Sequence, residues 1–170
     1  IFAECSVADP VKEGKVVKNI VEKQEKVDAV ILGGTGLQET QLKSIQNALM
    51  PLNIEVFAAH AGEEHDKVVE EMINNGYTIL ITQIASDGLN NWLGKTITKD
   101  NWKEFKKDSV KYGFHVGGEG GYYDTLITDA PLFSKKLEPQ TISLTRDDDY
   151  CGHIVISKHK LVNKAEVLTE

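Results

Sequence analysis

Between residues 115 and 125 the chain reads His115-Val116-Gly117-Gly118-Glu119-Gly120-Gly121-Tyr122-Tyr123-Asp124-Thr125. Four glycines flank one glutamate. Glycine reaches positive φ and lets backbone approach a ligand closely. A run of backbone amides can form an anion-binding nest. A carboxylate held beside such a run can position a cation, an amine or a ribose hydroxyl. Asp124 and Thr125 follow in an expected strand. A glycine-rich turn with a solvated glutamate has the same composition, so both readings stand at this point.

Two further segments have suitable residue types. Ala85-Ser86-Asp87-Gly88-Leu89-Asn90-Asn91-Trp92-Leu93-Gly94-Lys95 follows an expected strand. Ser86 and Asp87 suit hydroxyl groups, and Trp92 either stacks on a ring or fills the core. Gly33-Gly34-Thr35-Gly36 lies between an expected strand and an expected helix, the setting for phosphate at a helix N-terminus. It matches neither GxGxxG nor GxxxxGKS/T. His60, Glu64 and His65 have a loose metal-like spacing, but HExxH is missing and no metal site is assigned. GxSxG is also missing, which leaves serine hydrolysis without support. Asp147-Asp148-Asp149 lacks the glycine and distal glutamate of a calcium loop and reads as a turn.

These segments need a frame. Val17, Ile20, Val21 and Gln24 share one face of a helix expected over residues 11–26. Ala29–Leu32 is a short buried strand. Leu42, Ile45 and Leu49 recur at helical spacing until Pro51. Glu55–Ala58 is a second strand. Glu63, Glu64 and Asp66 open another helix, with Val68, Val69, Met72 and Ile73 buried. Tyr77–Thr82 is a third strand. This alternation predicts an α/β fold with parallel strands, right-handed crossovers and ligands beyond the strands' carboxyl ends. Farther on, a helix fits residues 99–112, with Trp102, Phe105, Ser109 and Tyr112 on one face. Residues 122–162 look β-rich, with strands at 142–145 and 153–157 joined by the aspartate turn.

The 170 residues allow one domain or two small ones. With 41% hydrophobic and 26% charged residues, neither disorder nor a collagen-like chain is expected. Nineteen basic against 26 acidic side chains leave a net charge of −7, which argues against nucleic-acid binding. Arg146 is the sole arginine, so any anion site leans on lysine, amides or hydroxyls. No apolar run approaches the ~18 residues of a membrane span. The first residues lack a signal-peptide pattern. Cys5 and Cys151, far apart and outside any CxxC, suggest reduced thiols and a cytoplasmic setting.

Gly118-Glu119-Gly120-Gly121, Tyr123-Asp124-Thr125-Leu126 and Asp129-Ala130-Pro131-Leu132-Phe133 together resemble the diphthine–ammonia ligases, or N-type ATP pyrophosphatases. That family carries GEGGE-Y/F-E-T followed by D-x-P-L-F. Upstream it has S-x-x-G-L and W-L-G-R/K, here Ser86-Asp87-Gly88-Leu89 and Trp92-Leu93-Gly94-Lys95. Order and spacing agree across roughly residues 15–137. Tyr122 replaces the family's second glutamate and Asp124 the next one. Gln41 is kept, while neighbouring arginines are not.

The resemblance implies that ATP adenylates the carboxylate of diphthine on elongation factor 2, after which ammonia displaces AMP. It implies a parallel Rossmann-like (HUP-type) sheet remnant over residues 1–62 and a mixed α+β substrate domain over 63–170. Glu119 and Asp124 become the catalytic candidates. Ser86, Asp87, Gly88, Trp92, Gly118, Gly120, Gly121, Tyr122, Tyr123 and Thr125 become the substrate-binding ones. Gly33 and Gly34 would approach adenosine. The family's pyrophosphate loop, SGGKDS, is not found in this sequence. With no initiator Met either, the expectation is a fragment of a longer protein, with ATP and Mg2+ held mainly outside it. The expected partners are diphthine-bearing elongation factor 2 and ammonia, with no nucleic acid or membrane. An unpaired sheet edge is expected to favour a homo-oligomer. These 170 residues are accordingly expected not to bind ATP tightly. Calorimetry finding micromolar affinity would contradict that.

Overall fold

The structure is a computed structural model and describes residues 1, 3–5, 9–33, 39–60 and 62–164. The chain divides into two compact units, Ile1–Glu64 and His65–Glu170.

In the first unit, helix α1 spans Pro10–Val21. Asp9 caps it by accepting the Val11 and Lys12 amides at 2.9 and 3.2 Å, and Pro10 suits the first turn. Helix α2, Glu39–Leu49, packs against it. A Cβ on buried Gly14 would lie 2.8 Å from the Ser44 carbonyl oxygen, so the two backbones meet at a residue with no side chain. Ser44 Oγ donates to the Pro10 carbonyl across the same contact. Strands β1, Ala29–Leu32, and β2, Glu55–Ala58, pair in parallel from Ala29↔Glu55 to Leu32↔Ala58. This β1-α2-β2 order is the parallel element that the alternation predicted.

The second unit is built on an antiparallel sheet. Helix α3 spans His65–Asn74 and leads into β3, Thr78–Ala85. Strand β3 pairs antiparallel with β4, Thr96–Ile97, with β5, Tyr123–Asp129, and with β7, Cys151–Asn163. Strand β6, Lys135–Arg146, then pairs with β7. The expected third parallel strand is therefore corrected: Tyr77–Thr82 forms most of the centre of a separate antiparallel sheet. Ile79, Leu80 and Ile81 are all buried. A strand buried on both faces is a continuous apolar run whichever way its neighbours point, so periodicity carries no direction.

The β6–β7 hairpin is much longer than expected and runs from Lys135↔Asn163 to Arg146↔Gly152. Charged residues and Pro139 mask the outer half of β6. Proline is tolerated because β6 is an edge strand with a register shift beside Pro139. The aspartate turn forms as read: Asp148 Oδ1 accepts the amides of Tyr150 at 2.7 Å and Cys151 at 2.6 Å. Those contacts hold its carboxyl below the usual range.

Helix α4, Trp102–Tyr112, lays Trp102, Phe105 and Ser109 into the core. Phe105 is fully buried. Its ring meets Trp92 at 4.9 Å, Phe114 at 5.3 Å, Tyr123 at 5.6 Å and Trp102 at 6.1 Å. Phe105→Ala is expected to lower the unfolding free energy by about 3–5 kcal/mol, read from urea melts. A loss below about 1 kcal/mol would show that the ring cluster is not the centre of this unit.

Candidate functional site

Helix α4 stops at Gly113, which adopts the left-handed conformation at φ 76°. Phe114 then drops into the core. Residues 115–121 make two successive turns. The Gly118 amide donates to the His115 carbonyl at 2.9 Å, and the Gly121 amide to the Gly118 carbonyl at 3.3 Å. His115 Nδ1 accepts the amides of Gly117 and Glu119, each at 3.2 Å. Four amides of the glycine segment are thus engaged inside the loop. They do not present the row of open donors that an anion nest requires.

The glycines have specific reasons to be there. Gly118, Gly120 and Gly121 all have positive φ, at 76°, 87° and 83°. At Gly118 a Cβ would stand 3.1 Å from the Tyr123 carbonyl oxygen. At Gly121 no atom of the described residues lies within 4 Å of an added Cβ, so that side is open.

An open hollow of about 450 Å³ lies against this loop, with Phe114, His115, Val116, Glu119 and Tyr122 in its wall and α4 alongside. Its lining is mostly apolar and includes the exposed Glu119. The His65 ring meets His115 edge-on at 4.3 Å. Burial, then the neighbouring His65, hold the His115 imidazole below its ordinary value, against the pull of Glu119.

The predicted residues divide between this hollow and other places. Glu119 and Tyr122 are brought together in its wall. Ala85 donates to the Tyr122 carbonyl at 2.8 Å, which ties the end of β3, and hence half-buried Ser86, to the glycine loop. Asp124 and Thr125 are exposed on β5, opposite Gln83 and Ile81. Tyr123 is buried, and its hydroxyl donates to the Val116 carbonyl at 2.6 Å. Burial drives that phenol's pKa far upward. Trp92 is 3% exposed, and its Nε1 donates to Asp108 Oδ2 at 2.9 Å. Both rings pack into the core, and the Lys95 ammonium already stands 5.6 Å from the Trp92 ring centre, so neither is open to a substrate cation. Asp87 Oδ1 accepts the Gly88 amide at 2.7 Å. Gly88, at φ 78°, leaves room for a ring: a Cβ there would lie 2.3 Å from Tyr112. Gly33 belongs to the first unit, and among the described residues no atom lies within 4 Å of its added Cβ. Gly34 lies outside the described residues.

His115 lies within the glycine segment, and the sequence alone assigns it no role. Its position two and four residues before the amides it binds is visible only once the chain has turned. Tyr112, the partner of Gly88, was read only as part of a buried helix face, and is partly exposed.

A family model described as the diphthamide synthase C-terminal domain matches residues 64–162. The human diphthine–ammonia ligase is 31% identical over 140 residues, covering 81% of this chain and 51% of that protein. The Danio rerio relative of the same name is 29% identical over 161 residues, or 91% of this chain and 62% of its own length. The Schizosaccharomyces pombe relative is 26% identical over 124 residues, 72% of this chain and 20% of its own. The chain spans about half the length of the mammalian relatives it matches.

Gly88→Ala is expected to destabilise the chain by about 2–3 kcal/mol, through positive φ plus overpacking. Combining it with Tyr112→Gly, which removes both the ring and the Cβ that would stand 2.6 Å away, should recover part of that loss, read as a coupling in denaturant melts. Purely additive losses would show that Gly88 is not there to admit the ring.

Proposed function

The chain belongs to the diphthamide synthase family, and from that membership we propose that it is the substrate-side portion of an ATP-dependent amide ligase. The proposed reaction converts diphthine on elongation factor 2 to diphthamide. The observation that carries the reading is the hollow in which Glu119, Tyr122 and His115 meet, inside the segment that matches the family's C-terminal domain.

In the first proposed step a diphthine carboxylate oxygen bonds to the α-phosphorus of ATP and pyrophosphate leaves. In the second, the ammonia lone pair attacks the acyl carbon. AMP departs with the electrons of the carbon–oxygen bond, and nitrogen loses a proton. The second step needs an amine held against a fixed acyl group. Glu119 is the proposed holder of ammonium or of the substrate's trimethylammonium group. A charge-assisted contact of that kind is worth about 1.5–3 kcal/mol. The half-buried Tyr122 ring is proposed as a face for the same cation, worth about 0.5–2 kcal/mol. The open side of Gly121 supports close approach of substrate along the loop. Ser86, Asp124 and Thr125 are proposed as polar contacts around it. Trp92 and Tyr123 are left out because their rings are covered.

ATP with magnesium is the proposed co-reactant of the first step, and Gly33, open at its α-carbon, is proposed to lie near adenosine. Among the described residues no group of three or more His, Cys, Asp or Glu is gathered to hold a metal. None of them is assigned to magnesium, and no step is routed through it. Among the described residues no helix is long and apolar enough to cross a membrane. The proposed setting is cytoplasmic.

A second reading, a non-catalytic module that docks on the factor, is favoured by Tyr122 standing where the family places a carboxylate. Pyrophosphate release by the complete protein separates the two. The assay contains ATP, ammonium and diphthine-bearing factor, with factor lacking diphthine as control. Release that requires the modified factor supports the ligase, and binding without release supports docking. Glu119→Gln is expected to lower amide formation by about 10- to 100-fold. Unchanged amide formation would remove Glu119 from the reaction.

A further inference from the structure

His115 closes the glycine loop from within. Its Nδ1 faces two donors, the Gly117 and Glu119 amides, both at 3.2 Å. A ring nitrogen that receives two N–H groups must be unprotonated. The neutral ring then carries its hydrogen on Nε2. The two turns at His115–Gly118 and Gly118–Gly121 continue from that contact and bring Glu119 to the rim of the hollow.

We propose that His115 is a positioning residue: unprotonated Nδ1 gathers the Gly117 and Glu119 amides and so sets Glu119, and a proton on Nδ1 releases the loop. The surroundings suit a neutral ring. His65, from the start of α3, stands edge-on at 4.3 Å, where a second positive charge is unwelcome. Glu119, on the same loop, pulls the other way. Tyr122 is the remaining titratable group in the wall, and α4 contributes Ser109 and Val110 there.

Burial and His65 depress the His115 value below 6.5. The contribution of this contact is therefore fully present above pH 6.5, where the ring is neutral folded or unfolded. It is lost as pH falls below that value, because the released ring binds the proton first. The consequence for catalysis rests on the ligase reading above. The tautomer and the loop's response do not.

The test is ¹H–¹⁵N NMR on the 170-residue chain. Long-range spectra at neutral pH should show the Nε2–H tautomer. The Gly117 and Glu119 amides should move together with the imidazole as pH falls below 6.5. His115→Asn puts an oxygen near the place of Nδ1 and should keep both amide positions while abolishing their titration. His115→Gln puts its oxygen near the place of Nε2 and should lose them. An Nδ1–H tautomer, or unmoved Gly117 and Glu119 amides in His115→Gln, would overturn the proposal, and the first needs no variant to fold. In the ligation assay His115→Gln should lower kcat/KM by roughly tenfold, with recovery in His115→Asn. The expected spectra with unaffected ligation would uphold the loop contact and reject the role given to Glu119.

Discussion

Phe114 and Tyr123 stand at opposite ends of the glycine loop, and their rings lie 6.4 Å apart, both against Phe105. Everything between them must leave the core and return to nearly the same place. That closure is held by apolar burial, which is not directional. It obliges residues 115–122 to turn back sharply on themselves, and turns this tight need positive φ. Gly118, Gly120 and Gly121 supply it. The glycine richness that first suggested ligand binding is thus also a mechanical consequence of where two aromatic rings are anchored.

The same cluster explains why a polar rim can sit on an apolar floor. Phe105 draws together Trp92 from the loop after β3, Phe114 from the end of α4 and Tyr123 from β5. Trp92 and Tyr123 have their polar handles satisfied on the spot, whereas the buried Trp102 Nε1 has no hydrogen-bond partner among the described residues. Tyr123 gives its hydroxyl to Val116, and Trp92 gives its indole hydrogen to Asp108. Such satisfaction matters because a buried donor left without a partner costs about 1–3 kcal/mol. With the floor fixed in this way, Glu119 and Tyr122 sit on a rigid support, which is what a positioning site needs.

The legible parts were those in which local chemistry decides. The aspartate turn of the hairpin and the end of the helix at residue 112 both act on amides or carbonyls within a few residues. The β1-α2-β2 unit was legible because two short apolar runs flank one amphipathic helix. The direction of β3 was not, since a run of Ile79, Leu80 and Ile81 looks alike in either kind of sheet. Among site residues, Glu119 stood out by its glycine neighbours. Trp92 carried two readings and Tyr123 only a substrate-binding one, and burial places both in the core. His115 gave no distinguishing signal, because its partners are backbone amides, which every residue type supplies.

By itself the sequence determined the family, the order of the helices and of the strands other than β4, and the segment in which chemistry is proposed. Those depend on residue identity at short spacing: periodic burial, caps, turns and a rare run of glycines around one glutamate. Tertiary structure decided which aromatic rings line the hollow and which face the core. It also decided that Gly88 makes room for Tyr112, and that His115 rather than solvent receives the loop amides. The physical reason is that such roles depend on what approaches from residues distant along the chain. A side chain's type fixes what it can bind, and packing fixes what it meets.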